Sequence, residues 1–207
     1  YNMMIPHLCP ELSQAQKKAL KSLVKVPLVY SNVALTNWRA LKRAGAGMVF
    51  TPNAFHQYFM IDFPVSMGGY RFAEREDEPV ILHFSSALAA PGLTPRDQHR
   101  VGRNRLLATS FEEIERDLRQ TLAGALGPNG FDPAADIAAI TVNRWPHGYA
   151  YGYNPLFDPD YPPGEAPHEI GRTRFGNITI ANSDAGARAY LDEAINQAHR
   201  AVGELLG

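Results

Sequence analysis

The sequence predicts a mixed α+β fold. Short β-branched runs cluster between residues 24 and 85, a capped amphipathic helix occupies 111–126, and a strand–turn–helix unit closes the chain. Taken in order, Ser13 caps a short helix over 14–20, with Pro10 just upstream. Residues 24–33 (VKVPLVYSNV) read as a strand, and Pro27, which has no N–H to donate, argues for an edge or a bulge. Further strands are expected at 47–51, 57–63 and 79–85. Gly68-Gly69 and the acidic segment 74–78 punctuate them, which predicts an antiparallel meander.

Ser110-Phe111-Glu112-Glu113 is a capping box, and Ile114, Leu118, Thr121, Leu122, Ala125 and Leu126 follow at helical spacing until Gly127-Pro128 stops the run. Residues 137–145 (IAAITVNRW) read as another strand. Residues 148–167 form a loop dense in Tyr, Pro and Gly. Last come a strand at 177–181, a turn at 182–186 and a helix over about 187–206. On it Leu191, Ala194, Ile195, Ala198, Ala201, Val202 and Leu205 mark one apolar face.

The chain has 207 residues, 45% of them hydrophobic and 20% charged, so it is able to bury a core. Twenty Lys and Arg against 21 Asp and Glu leave a net charge of −1 with no basic cluster, which gives no support for nucleic-acid binding. No apolar run approaches the ~20 residues of a membrane span. A single cysteine, Cys9, excludes an internal disulfide and a multi-cysteine zinc site. The seven histidines show no metal-binding helical spacing, so no metal is expected. His83-Phe84-Ser85-Ser86 lacks the G-x-S-x-G elbow of a hydrolase, and no Gly-rich dinucleotide or phosphate loop occurs. The opening Tyr1-Asn2-Met3-Met4-Ile5-Pro6 has neither a charged nor an apolar leader region. It reads as beginning inside a longer protein, with initiation at Met3 or Met4 as the alternative.

The closing strand–turn–helix carries the most chemistry. A small-residue turn feeding a helix presents unpaired N–H groups and the positive end of the macrodipole, which suits an anionic or electron-rich ligand edge. Asn182, Ser183 and Asp184 add short polar side chains able to bond a ribityl chain or a phosphate. Alternatively, Ser183 or Asp184 simply caps the last helix. Upstream, residues 144–153 place Trp145, Tyr149, Tyr151 and Tyr153 within ten positions. That is the composition of an aromatic site wall or of a loop packed on itself.

Three segments carry a family likeness. Residues 178–184 (ITIANSD), 189–194 (AYLDEA) and 26–38 (VPLVYSNVALTNW) together resemble the flavin-containing amine oxidase family, in particular its spermidine dehydrogenase-like branch. The resemblance spans essentially the whole chain. It implies a substrate-domain sheet with helices over residues 1–145, and an aromatic loop with the C-terminal strand and helix of an FAD-binding fold over 146–207. It further implies FAD as cofactor, bound through Asn182, Ser183 and Asp184 and through backbone near Tyr190 and Leu191.

Lys25 matches the family lysine that holds a water at flavin N5, and Trp38 the tryptophan that follows. Trp145, Tyr149 and Tyr151 become substrate-lining candidates, with Phe55, His56, Tyr58 and Tyr70 weaker ones. Two departures stand out: Ser183 falls where many relatives carry Glu, with Asp184 following it, and Glu193 replaces a typical glycine.

The implied chemistry is hydride removal from an amine, or a polyamine, to flavin N5. Asp158, Asp160, Glu165 and Glu169 are either polyamine anchors or ordinary loop acids. Because the Gly-rich dinucleotide motif is absent, the expected partners are a small amine substrate and a missing N-terminal FAD-binding portion. Association with further copies of the chain is left open. The resemblance also suggests a periplasmic home. The competing readings are a non-catalytic ligand-binding or interaction module that keeps the fold without cofactor, and a self-contained aromatic-pocket domain.

Overall fold

Strand alternation builds the central feature of the computed structural model, a five-stranded sheet ordered β2-β3-β4-β1-β5. Its strands are β1 (Val26–Leu35), β2 (Met48–Phe50), β3 (Tyr58–Ile61), β4 (Val80–Ala87) and β5 (Ile137–Gly148). The structure describes residues 1–156 and 158–207. Helices are α1 (Ile5–Leu8), α2 (Gln14–Ser22), α3 (Arg39–Ala44), α4 (Pro95–Ala108), α5 (Phe111–Leu126), α6 (Pro133–Asp136), α7 (Pro167–Gly171) and α8 (Leu191–Leu206). The chain divides into two compact units. One comprises Tyr1–Lys25, Leu93–Arg96 and Gly148–Gly207, and the other Val26–Gly92 and Asp97–His147.

In the second unit β2, β3 and β4 pair antiparallel, as the meander predicts, and β1 pairs antiparallel with the far side of β4. Period-two alternation sorts the side chains onto two faces. Val33, Leu35, Phe59, Leu82 and Phe84 share the inner face and cluster with Ile114, Leu118, Leu122 and Leu126 of α5. The rings of Phe59 and Phe84 stack at 4.9 Å. Helix α5 begins as its capping box requires: Ser110 Oγ accepts from the Glu113 N–H, and the Glu113 carboxylate accepts from the Ser110 N–H. The sheet order puts β1 between β4 and β5, so Pro27 is not on an edge strand. It stands just before Leu28, the first residue paired with β4, and its carbonyl accepts the Leu88 N–H.

Helix α4 has no counterpart in the sequence reading. Its polar segment PRDQHRVGRNRLLA buries only Gly102 and Leu106, too little apolar signal to show a period.

In the first unit Leu12, Leu20, Ile180 and Ala185 form a small core. Ser13 caps α2 through the Gln16 N–H, and the Gln16 side-chain amide donates to the carbonyls of Gly171 and Thr173. The expected strand at 177–181 does not form. Phe175 and Ile178 exchange two backbone bonds across a tight turn with Gly176 at φ +55°, and among the described residues no neighbouring strand extends the ladder. The last helix starts at Leu191 rather than Ala187, because Ala187 is left-handed at φ +53° and Tyr190 is extended. Helix α8 also turns a different side inward. Glu193, Gln197 and Ala201 are buried, while Leu191, Ile195, Val202 and Leu205 of the expected apolar face are exposed.

Candidate functional site

The polar turn between Ile180 and α8 is a short 3-10 helix, Ser183–Gly186. Asn182 caps it, its Oδ1 accepting from the Ala185 N–H at 3.0 Å while its Nδ2 donates to Asn2 Oδ1 at 2.6 Å. Asp184 lies within the turn and is only 2% exposed. One oxygen, Oδ1, receives the Lys25 ammonium at 3.0 Å and the Tyr151 backbone N–H at 3.0 Å. The other, Oδ2, is buried and has no hydrogen-bond partner among the described residues, and the same holds for the Nδ2 of Asn2.

A buried carboxylate is tolerated only when paired and hydrogen-bonded, and an acceptor left bare is a polar vacancy that a ligand hydroxyl or a water relieves. Three of the sequence candidates, Lys25, Asp184 and Tyr151, are therefore brought together with Asn182 alongside. The Lys25 ammonium is committed to Asp184 and also lies 5.0 Å from the centre of the Tyr1 ring. Neither Asn2 nor Tyr1 was marked by the sequence, since no local pattern links residues 2 and 182.

Two non-glycine residues of this unit hold left-handed backbone, Tyr149 at φ 52° and Ala187 at φ 53°. Such strain, roughly 1–3 kcal/mol each, persists where surrounding contacts enforce it and clusters at functional sites. Tyr149 is exposed. Tyr151 is half-buried, and its hydroxyl donates to Asp158 at 3.3 Å. Burial first, and the Asp158 charge second, push its phenol well above the ordinary tyrosine range.

The loop acids mostly bond their own loop. Asp158 also accepts from the Asn154 N–H, Asp160 accepts from the Tyr153 hydroxyl, and Glu169 accepts from the N–H groups of Gly164 and Ala166. Glu165 is exposed. At the start of α8 no side chain caps the helix. Tyr190 and Leu191 stand exposed there, with the Arg188 guanidinium 5.3 Å from the Tyr190 ring centre.

The remaining candidates lie in the sheet unit. Trp145 is an exposed residue of β5. Trp38 precedes α3, packs against the inner-face core and donates its indole N–H to the Arg75 carbonyl at 2.7 Å, a structural anchor. Phe55 is partly buried, its N–H held by the Asp117 carboxylate. His56 is fully buried against Phe55 and Phe84, with Nε2 2.9 Å from Ser31 Oγ, and so lines no surface.

Tyr58 lies on the outer sheet face. Cross-strand register puts Tyr30, Asn32, Met60 and His83 on that face with it. Tyr30 and His83 have ring centres 5.1 Å apart, and His83 Nδ1 lies 3.0 Å from Asn32 Oδ1. With Oδ1 as acceptor, Nδ1 carries the proton and Nε2 is left as an acceptor. Strict alternation along 26–35 is the signal that marks Tyr30 and Asn32. Farther along the face, Asp62, Phe63, Val65, Met67, Tyr70 and Ile81 line a groove of about 300 Å³, the bottom of the small-ligand range.

Among the described residues no group of three or more His, Cys, Asp or Glu is placed to hold a metal, and no helix is long and apolar enough to cross a membrane.

No family model matches the chain, and no curated protein matches it in sequence. Solved structures match it in fold. A single-substitution mutant of putrescine oxidase, from a redesign of its cofactor binding, superposes with a TM-score of 0.61 at 15% identity. Wild-type putrescine oxidase bound to putrescine gives 0.54 at 15%. Cyclohexylamine oxidase from Brevibacterium oxydans IH-35A gives 0.61 at 15%. Each match covers 95% of this chain and 38% of the other. The chain therefore has the fold of part of these amine oxidases and spans 38% of their length.

Proposed function

We propose that this chain is the flavin-ring and substrate side of an FAD-dependent amine oxidoreductase, with the remainder of that fold receiving the adenosine end of the cofactor. The observation that carries the reading is Asp184. Its Oδ1 is saturated by Lys25 and the Tyr151 N–H, while its Oδ2 is buried and bare in a turn that leads to an uncapped helix start. A bare buried acceptor fits the hydroxyl donors of a ribityl chain, and the bare Nδ2 of Asn2 supplies a donor in the same unit. In this reading Lys25 is a positioning residue: its ammonium holds the Asp184 carboxylate in place. Holding a water at flavin N5 instead would require it to leave that pair.

A bound flavin would supply the two-electron acceptor for the hydride lost from the carbon that bears the amine, with a C=N bond left behind and a proton from the nitrogen released to solvent. The substrate must therefore arrive as, or become, the neutral amine. The fold likeness to putrescine oxidase and cyclohexylamine oxidase supports a primary amine substrate. A polyamine, and the spermidine dehydrogenase-like branch, rest on the sequence segments alone.

One observation favours the cofactor-free alternative. Asp192 and Glu193 already place two carboxylates in the first turn of α8, where an electron-rich ring edge would compete with them for the helix N-terminus. The deciding experiment is purification of the chain together with the remainder of its fold, followed by desalting and an absorbance spectrum. Retained flavin absorbance in the wild type, lost in Asp184→Leu with circular dichroism unchanged, is the expected result. A colourless wild-type complex sinks the proposal.

A further inference from the structure

The first turns of α5 carry a polar stripe beside their apolar one. Glu113 is followed three and four residues on by Arg116 and Asp117, which puts the three on one side of the helix. The Ile114–Leu118–Leu122 face beside them packs against the sheet. With Phe55, and with Arg105 and Thr109 at the end of α4, this stripe walls a pocket of about 380 Å³ that lies wholly within the second unit.

Several charged groups of this pocket are held in place yet left with open capacity. Asp117 is partly buried, and its two oxygens accept from the Phe55 N–H, at 3.2 and 3.1 Å. Burial pushes its carboxyl above the ordinary range, while the Phe55 N–H and the Arg105 charge act the other way. Arg105 is drawn aside from it, with its guanidinium 5.8 Å from the centre of the Phe55 ring. Arg116 is the helix neighbour of Asp117, and adjacent helix residues do not face each other. Among the described residues neither guanidinium forms a salt bridge. Glu113 differs, since its carboxylate already closes the capping box on the Ser110 N–H. Arg144 donates to the Thr109 carbonyl, and its Nε is buried with no hydrogen-bond partner among the described residues.

The open capacity is therefore of both signs. Two guanidinium forks fit paired acceptors, and one desolvated carboxylate fits a positively charged donor. A bare anion would answer the guanidiniums and be repelled by Asp117, and a simple amine would do the reverse. A molecule with ammonium and carboxylate on the same carbon answers both. The volume lies near the bottom of the small-ligand range, which selects a small molecule over a nucleotide. Asn53 and Gln120 add amide groups to the wall, against Ala54 and Phe55 as its apolar members.

We infer that this pocket binds a free α-amino acid with a small polar side chain, its ammonium on Asp117 and its carboxylate on Arg105 and Arg116. The inference stands on the second unit alone and does not depend on the flavin reading.

The test is calorimetric titration of the full chain with three probes. They are L-glutamine, N-acetyl-L-glutamine, which lacks the ammonium, and L-glutamine amide, which lacks the carboxylate. One glutamine should bind per chain with a dissociation constant below about 1 mM, and each derivative about tenfold or more weakly. Asp117→Asn keeps an acceptor for the Phe55 N–H. It should weaken glutamine about tenfold and leave the N-acetyl derivative unchanged. Arg116→Gln should weaken glutamine by a similar factor and leave the amide unchanged. Arg116 is exposed, so the melting temperature of that variant should match wild type. Absence of glutamine binding overturns the inference. So do derivatives that bind as tightly as glutamine, or inorganic phosphate binding more tightly than glutamine, which would mark a plain anion site. Substitutions that weaken all three probes alike also overturn it, since a merely structural effect has that signature.

Discussion

The Lys25 ammonium and the Asp184 carboxylate meet at 3.0 Å, with 15% of one side chain and 2% of the other exposed. Removing one partner of such a pair leaves an uncompensated charge, which typically destabilises by roughly 3–5 kcal/mol. Because Lys25 keeps some solvent, Lys25→Met should lie near the lower end, about 3 kcal/mol. Lys25→Met combined with Asp184→Asn should recover much of that loss, since no charge then remains unpaired. Urea unfolding of the two single variants and the double variant gives the coupling directly. A Lys25→Met protein as stable as wild type would show that the pair does not hold the turn.

Gly186 and Glu193 are coupled by space. A Cβ at Gly186 would lie 1.8 Å from Glu193 Oε1 and 2.4 Å from its Cγ. Glu193 cannot swing aside freely, because it is buried and receives the Gln197 amide. Gly186→Ala should therefore destabilise by about 1–3 kcal/mol as an overpacking change. In a Glu193→Ala background the three contacts with Glu193 are gone and the effect of the added methyl should shrink. Equal effects in the two backgrounds would disprove the coupling.

How much of this was legible in the sequence varied with the range of the signal. The capping box at Ser110 and Glu113 and the cap at Ser13 are local, and each appears where the pattern places it. The meander was legible because alternation and turn glycines are local too. Helix α4 was hidden because Gly102 and a polar composition mask its period. The rotation of α8 was misjudged for a different reason. Amphipathic pattern shows which face is apolar, not whether a partner within the chain covers it, and here the inner face is set by Arg200 and Gln197 reaching Ile180 and Glu193. In the candidate site, Asp184 and Tyr151 were visible as residue types in suggestive segments. Their junction with Lys25 and Asn2 joins positions more than 150 apart in sequence, or 33 apart for Tyr151, and required the fold.

Acid should weaken the sheet unit through His56. Burial, and secondarily the charge of His83, lower its pKa from the ordinary 6.5 to about 4. Above pH 6.5 the ring is neutral in both folded and unfolded chains and adds no pH dependence. Between 6.5 and about 4 the unfolded chain takes up a proton that the folded chain refuses, so stability declines as pH falls, by at most roughly 3 kcal/mol. Below 4 the loss is complete. His99 and His168, also lowered mainly by burial, act in the same direction. The comparison is therefore wild type against His56→Gln, which retains a polar group for Ser31. Urea midpoints from pH 7 to 4 should fall less steeply in the variant. Parallel curves would exclude His56 as the source.

Two helical glycines should respond oppositely to the same substitution. Alanine is favoured over glycine in a helix interior by about 1 kcal/mol. At Gly124, exposed in α5, an added Cβ meets nothing within 4 Å, so Gly124→Ala should gain stability on that scale. At Gly102 in α4 the added Cβ would lie 1.9 Å from the Leu88 carbonyl oxygen and 2.7 Å from its carbon, with Pro27 Cγ at 3.1 Å. Those first two atoms are backbone and cannot rotate away. The helix would have to lift from the Val29–Leu88–Leu106 cluster, and Gly102→Ala should destabilise by about 2–3 kcal/mol despite its better propensity. Thermal melts of the two variants check the pair at once. A stabilised Gly102→Ala would mean that α4 does not pack against the end of β4 in this way.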